Sequence, residues 1–263
     1  MLSWSRVPYS GMDIDSVPPW SNKELKRLGK AIREGRESDL DYNEVVLWYA
    51  QLASIVQGLI GAMEFEAILG GRVPSISARA KTIDTLRQKL IAHPTWQLPS
   101  IVDVAGVRVE VDMTLTEQDR VAKLIAAELR QEFSMCASDT RDRPHSGYRA
   151  LHLRATFPAG RVEIQVRTRV QGEWANTYEQ VADIVGREIR YGASPNDSTE
   201  RRIVEQLHDI SKAIAVSERL WELAHGSGVA TAVSKQAKAD ELRIVELLQS
   251  MQKTMATADK ESD

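Results

Sequence analysis

Two runs near the middle of the chain alternate between apolar and polar positions. In 151–157, Leu151, Leu153, Ala155 and Phe157 are apolar and His152, Arg154 and Thr156 stand between them. In VEIQVRT, 162–168, Val162, Ile164 and Val166 alternate with Glu163, Gln165 and Arg167. A period of two is that of a strand with one face on a core. The intervening Pro158, Ala159, Gly160 and Arg161 predict a hairpin with a four-residue loop. That loop pairs Phe157 with Val162, Ala155 with Ile164 and Leu153 with Val166. On the other face Thr156 meets Glu163, Arg154 meets Gln165 and His152 meets Arg167. A shift of two residues keeps the faces, whereas a shift of one mixes them.

Elsewhere the pattern is mostly helical. The first 20 residues, with Pro8, Gly11, Pro18 and Pro19, read as irregular. Ser21 with Glu24, and Asp41 with Glu44, predict capped helix starts. YNEVVLWYAQLASIVQGLIGAMEFEAIL reads as one long helix buried on much of its circumference. After the break at Gly70 and Gly71, ISARAKTIDTLRQKLI is helical in its second half. IVDVAGVRVEVDM reads as a β-branched strand, and Thr116 with Asp119 as the cap of a helix running to residue 130. From Asn196 onward two helical stretches flank GSGVATAVS, and the tail ADKESD reads as frayed. In LRIVELLQSMQKTM the apolar residues fall at helical spacing, more often a core face than a partner surface. The β-α-β-β centre departs from the steady alternation of a doubly wound sheet, so the expected class is α+β. The expected organisation is an irregular and helical segment over 1–70, a mixed core over 71–195 and helices over 196–263.

Composition removes several classes. Cys136 is the single cysteine, which excludes a disulfide framework or a cysteine-rich metal site and suits a reducing cytoplasm. No apolar run is read as reaching the roughly 20 residues of a membrane span, and the N-terminus lacks the apolar core of a signal peptide. No period of 20 to 50 residues repeats. With 34 Lys and Arg against 37 Asp and Glu, the net charge of −3 gives no sign of general nucleic-acid binding.

Local charge differs. Residues 141–169 hold seven arginines and two acids, Asp142 and Glu163; residues 72–89 hold Arg72, Arg79, Lys81, Arg87 and Lys89 against Asp84. Two basic islands in an acidic chain suggest a polyanionic ligand. A lone acid such as Glu163 inside one of them is either part of an ordinary solvated sheet face or, with a second carboxylate, a ligand for a divalent cation. Asp103, before the strand and close to Gly106, is the natural second carboxylate, or else a simple strand-start residue.

RAKTIDTLRQKL, DVAGVRV, GYRALH and VEIQVRT, in this order over roughly residues 75–191, resemble the synthetase domain of the RelA/SpoT homologues, with the small alarmone synthetases as the nearest likeness. The resemblance implies a nucleotidyltransferase-like mixed β-sheet flanked by N- and C-terminal helices. It implies transfer of the β,γ-pyrophosphate of ATP to a ribose 3′-hydroxyl, with release of AMP. By motif position, Asp103 would be a Mg2+ ligand, and Glu163 would complete the metal site or act as base. Arg79, Lys81, Lys89 and Arg108 would hold ATP, Arg79 also packing against adenine. Tyr148 would stack on the acceptor base, with His152, Arg143 and Arg149 at the acceptor and Gln165 and Arg167 in support. Trp174 and Ala175 match a recurring Trp-Ala after the last motif.

The loop before Tyr148 departs from the family. Ser146 stands where an Asn is usual before Gly-Tyr, Pro144 stands where a basic residue is usual, and Thr85 replaces a more usual Ser. Some members of the family are toxins, several from phages and prophages. They modify the 3′ CCA end of tRNA or make adenosine alarmones, and an antitoxin protein holds them in check. The altered loop and the aromatic N-terminus (Trp4, Tyr9, Trp20) look more like that branch. The expected acceptor is therefore tRNA, with GDP, GTP or adenine nucleotides as the alternative. A reading from another class is a non-catalytic nucleotide- or RNA-binding module, which would need neither Asp103 nor Glu163. His208-Asp209 invites a metal-hydrolase reading. Only five histidines exist in the chain, so His208 reads as a helix-packing residue and no hydrolase activity is expected.

Overall fold

The two alternating runs form a hairpin whose partner strands extend into a five-stranded sheet. The structure is a computed structural model and describes residues 11–227 and 231–261. The strands are β1 (Ser75–Ala80), β2 (Ala105–Val111), β3 (Ala137–Asp139), β4 (Leu151–Phe157) and β5 (Gly160–Thr168), in the spatial order β1-β2-β5-β4-β3. Only β2 and β5 run parallel; the other neighbours are antiparallel. The class is α+β with a mixed sheet. Neither β1, in SISARA, nor the short β3 is anticipated from the pattern. Each sits at a sheet edge, where one missing neighbour leaves a weaker alternation.

The hairpin register is the one two residues away from the pairing expected first. Phe157 pairs with Gly160, Ala155 with Val162, Arg154 with Glu163 and His152 with Gln165. The turn has two residues, Pro158 and Ala159, because Gly160 takes up the ladder at φ 139°. A Cβ there would lie 2.8 Å from Cε1 of Tyr49. The tip is also anchored: the Trp48 indole N–H donates to the Ala159 carbonyl at 2.7 Å, and the Ala159 N–H donates to the Ile14 carbonyl at 3.2 Å.

The back face of the sheet is the core. Val107, Val109, Leu153, Ile164 and Val166 are fully or almost fully buried there, with Val45, Leu52, Val56 and Ile60 of α2 (Tyr42–Gly61) in the same cluster. The expected long helix thus ends at Gly61, and a separate short helix, α3 (Glu66–Leu69), follows. Contrary to the sequence reading, α2 does have the length and apolar composition of a membrane span. Its buried stripe against β1 and β2 gives that composition a core-packing reason. α1 (Asn22–Glu34) carries the expected Ser21–Glu24 capping box; at α2, Asp41 caps through the Asn43 N–H. α5 (Leu115–Glu128) is capped by Thr114 with Glu117, not by Thr116, whose hydroxyl bonds Glu222 instead.

The front face carries the polar residues of β1, β2, β4 and β5. It is flanked by α4 (Ile83–Ala92) and α7 (Arg169–Val185). α6 (Phe133–Cys136) is one turn before β3. α7 starts a second apolar cluster, Val170 to Leu248, with α8 (Ser198–Ser227) and α9 (Thr231–Glu261). Val245 and Leu248 are buried in it, in line with the core reading of that stretch. The tail read as frayed is helical to Glu261. Trp4, Tyr9 and the centre of GSGVATAVS lie outside the described residues.

Candidate active site

Register builds the site. Arg79 pairs with Gly106, Gly106 with Glu163 and Glu163 with Arg154, so one row across four strands reads Arg, Gly, Glu, Arg. Residues in one row project to the same face, and Gly106 puts no side chain between Arg79 and Glu163. The next row holds Ser77, Arg108, Gln165 and His152; the one after holds Glu110 and Arg167.

Asp103 lies in the turn just before β2. The Lys81 N–H donates to the Val104 carbonyl at 2.9 Å, which extends the β1–β2 ladder by a step and brings Lys81 beside Asp103. Thr82 caps α4, and that helix delivers Lys89 from the other side. Asp103 Oδ2 accepts from Lys81 Nζ at 3.0 Å and from Lys89 Nζ at 2.7 Å, while Oδ1 is buried with no hydrogen-bond partner. A buried, orphaned carboxylate oxygen is costly, and it suits a cation. Glu163 Oε1 lies 3.3 Å from His152 Nδ1, and Oε2 accepts from Gln165 Nε2 at 2.8 Å. Burial pushes its pKa up, but the His152 hydrogen bond and charge, Gln165 and Lys89 outweigh it and hold the carboxyl at about 2. A carboxylate of such low proton affinity is a good cation ligand or hydrogen-bond acceptor and a weak general base.

Two cavities meet at Asp103. One, of about 330 Å3, is lined by Lys89, Trp96, Ser100, Asp103, Arg154 and Glu163. The other, of about 250 Å3, is lined by Arg79, Lys81, Thr82, Thr85, Asp103 and Glu179, together with Arg187 and Arg190, which both pair with Asp183. A larger cavity of about 520 Å3, between Ile14, Leu59 and Leu124, holds none of the residues expected to do chemistry. The lining, not the size, selects the smaller pair.

The other expected residues divide by what they touch. Arg108 Nη2 donates to both oxygens of Glu179, at 2.8 and 3.0 Å, and Arg79 Nη1 lies 3.5 Å from the same carboxylate. Burial alone would raise the pKa of Glu179; the two guanidinium charges reverse that and lower it. Arg167 is 1% exposed and donates to the Tyr148 hydroxyl at 2.6 Å, to Gln165 Oε1, and to Glu110 Oε1 at 3.4 Å. Its guanidinium also sits 5.0 Å over the Tyr148 ring, with His152 5.6 Å to the side. Arg143 is exposed in the loop. Arg149, expected at the acceptor, is turned away. It is 9% exposed and donates to the Ser211 carbonyl and hydroxyl and to the Arg141 carbonyl, tying the loop to α8. The Arg-rich island is partly structural for the same reason. Arg141 bonds Asp139 and Asp119, so of its arginines only Arg154 lines either cavity.

The loop before Tyr148 closes as a tight turn. The Tyr148 N–H donates to the His145 carbonyl at 2.9 Å, and the central Ser146 and Gly147 have φ of 49° and 82°. Two positive φ values are the signature of a type I′ turn, for which Asn-Gly is the favoured pair. A Cβ on Gly147 would lie 2.8 Å from Cζ2 of Trp174. That Trp174 is buried, stacks on Tyr178 at 4.8 Å and donates to the Leu207 carbonyl at 2.7 Å. His208 also stacks on Tyr178, at 5.8 Å, with its Nε2 3.4 Å from the Tyr178 hydroxyl, a packing role.

Sequence reasoning missed Glu179, Glu110 and Trp96. Glu179 stands one turn beyond Ala175 on α7, which a helical reading of the Trp-Ala segment would have exposed. Trp96 stands in a short proline-bounded loop, with no periodicity to mark it.

Comparison with known proteins supplies the family. Residues 78–182 match the model described as the region found in RelA/SpoT proteins. Uncharacterised proteins of Mycobacterium tuberculosis and Mycobacterium bovis are each 41% identical over 221 residues, covering 80% of this chain and 79% of theirs. Among solved structures, the small alarmone synthetase 1 from Bacillus subtilis aligns with a TM-score of 0.51 at 16% identity, over 72% of this chain and 98% of that one. The small alarmone synthetase 2 from the same organism gives 0.50 at 18%, over 68% and 95%; at these identities the likeness is one of fold. The chain belongs to the family marked by the region found in RelA/SpoT proteins, and it shares its fold with small alarmone synthetases.

Proposed function

We propose that the chain moves the β,γ-pyrophosphate of ATP to the ribose 3′-hydroxyl at the CCA end of tRNA, releasing AMP. The observation that carries the transfer reading is the carboxylate pair in a cationic setting: Asp103 and Glu163 line one cavity, Lys89 stands beside both, and Asp103 opens onto a second, basic cavity. A non-catalytic nucleotide-binding module has no need of either acid.

In this reading the basic cavity takes ATP. Arg79 lines that cavity and faces the nucleotide, Arg108 stands behind it and holds Glu179, and Lys81 and Lys89 pass from Asp103 to the polyphosphate. Fixed cations are most of what such a transfer requires. A Mg2+ ion fits the residues present. Asp103 Oδ1 is a buried acceptor without a partner, Glu163 is ionised, and Mg2+ is commonly held by one or two carboxylates together with substrate phosphates. When bound, the ion supplies charge neutralisation on the triphosphate. Glu163 then orients the attacking hydroxyl by accepting its hydrogen bond, and His152 and Gln165 keep that carboxylate in place.

The test is incubation with γ-32P-ATP and, in parallel, bulk tRNA, GDP, GTP, AMP or no acceptor. Label on tRNA is expected. Label on a free nucleotide alone would replace the acceptor, and label on none would remove the transfer reading. Glu163→Gln is expected to lower transfer by at least about 100-fold and to leave the ATP dissociation constant within about threefold.

A further inference from the structure

One wall of the cavity of about 330 Å3 that holds Asp103 and Glu163, the one left for the acceptor once ATP takes the basic cavity, is an aromatic ring that the chemistry above leaves unused. Trp96 is 42% exposed. It stacks on His93 with centroids 4.1 Å apart and planes at 16°, and Tyr191 stands edge-on to His93 at 6.3 Å. Lys89 Nζ lies 5.4 Å from its centroid. The loop that carries the ring is pinned from behind. Arg33 of α1 donates from Nη2 to the Trp96 carbonyl at 2.6 Å and from Nε to the Leu90 carbonyl at 2.9 Å.

Trp96 also belongs to two cavities. It faces Asp103 and Glu163 in the one of about 330 Å3, and it faces Lys26, Lys30 and Arg33 in another of about 230 Å3 on the side of α1. The ring is therefore the shared wall between the reacting centre and a second basic surface, with Glu34 the one acid at that surface. Aromatic faces alternating with cations are what a single strand of nucleic acid requires: bases stack, and phosphates pair with Lys and Arg.

We infer that Trp96 is the stacking platform for a base adjacent to the reacting nucleoside, and that Lys26 and Lys30 hold the phosphates beyond it. The inference rests on the polynucleotide acceptor of the preceding section and deepens it. The feature that binds tRNA better than a free nucleotide is the Trp96 wall with its basic continuation on α1.

The experiment measures transfer from γ-32P-ATP to bulk tRNA at several salt concentrations for wild type, Trp96→Ala, Trp96→Phe and the double variant Lys26→Glu/Lys30→Glu. Affinity for a non-hydrolysable ATP analogue is measured alongside. Trp96→Ala is expected to raise the KM for tRNA by about 5- to 150-fold, the span of one lost base stack, with a smaller fall in kcat. Trp96→Phe should recover most of the loss. The double variant should flatten the salt dependence of tRNA KM by about one to two in log–log slope. Affinity for the ATP analogue should not change in any of them. Unchanged KM values and slopes in variants of a wild type that labels tRNA would overturn the platform and leave the acceptor reading standing. A wild type that labels only free nucleotides would overturn the acceptor reading, and the platform with it. Parallel loss of ATP-analogue affinity would show a structural role for Trp96 and also refute the platform.

Discussion

Glu218 is buried where it should hold its proton until the pH approaches neutrality. It sits on α8 at 3% exposure, accepting from the Thr168 hydroxyl at 2.6 Å and from Gln171 Nε2 at 2.9 Å. Burial raises its pKa, the two hydrogen bonds and Arg149 pull it down, Glu241 pushes it up again, and the outcome is about 7 against an ordinary 4.5. Glu241, also buried, is raised by burial and by Asp112 despite Lys238 beside it. Each tenfold gain in proton affinity corresponds to about 1.4 kcal/mol, so ionised Glu218 costs the fold about 3 kcal/mol. The native chain holds a proton that the unfolded chain has released between pH 4.5 and 7. Stability from this group is therefore complete below pH 4.5 and is lost as pH rises through about 7. Glu163 acts in a different window. Its depressed pKa contributes stability above pH 4.5 that disappears only as pH falls toward 2. Glu218→Gln keeps an acceptor for Thr168 and carries no charge. Urea unfolding at pH 5 and pH 8 should show wild type losing about 2.5 kcal/mol, roughly 1 M in midpoint, across a range where the variant loses far less. At pH 8 the variant should be the more stable protein. Equal pH dependence in the two proteins would refute the buried, neutral Glu218.

The turn before Tyr148 gives two further expectations, both read from the urea midpoint at pH 7. Gly147→Ala meets a φ of 82° and a Trp174 contact at 2.8 Å, and should cost about 2–4 kcal/mol and lower transfer with it. Ser146→Asn, at φ 49°, should stabilise by up to about 1 kcal/mol, because Asn tolerates the left-handed region better than Ser.

The faces of the hairpin were legible in the sequence because a strand's side-chain period is two and the core takes one face only. Its register was not: two pairings keep the same faces, and the choice between them fell to contacts with Trp48, Tyr49 and Ile14, residues more than a hundred positions away. Asp103 and Glu163 were legible as candidate carboxylates, Glu163 as a lone acid in a basic run and Asp103 as an acid at a strand start close to Gly106. The two lysines on Asp103 and the His152–Gln165 grip on Glu163 were not, since they depend on where α4 and β4 lie against β2 and β5. The charge islands misled in part. Counting arginines along the chain cannot separate Arg154, which lines the cavity, from Arg149 and Arg167, which are buried in the scaffold.

By itself, the sequence determined the helical flanks, the α+β class, the hairpin faces and, through its ordered motifs, the family, because all of these rest on local periodicity and residue identity. Tertiary structure alone decided the mixed strand order, the row from Arg79 to Arg154, the partnership of Glu179 with two arginines and the placing of Trp96 between two cavities. Each of these joins residues distant in sequence through ladder hydrogen bonds or burial, and no pattern along the chain carries that information.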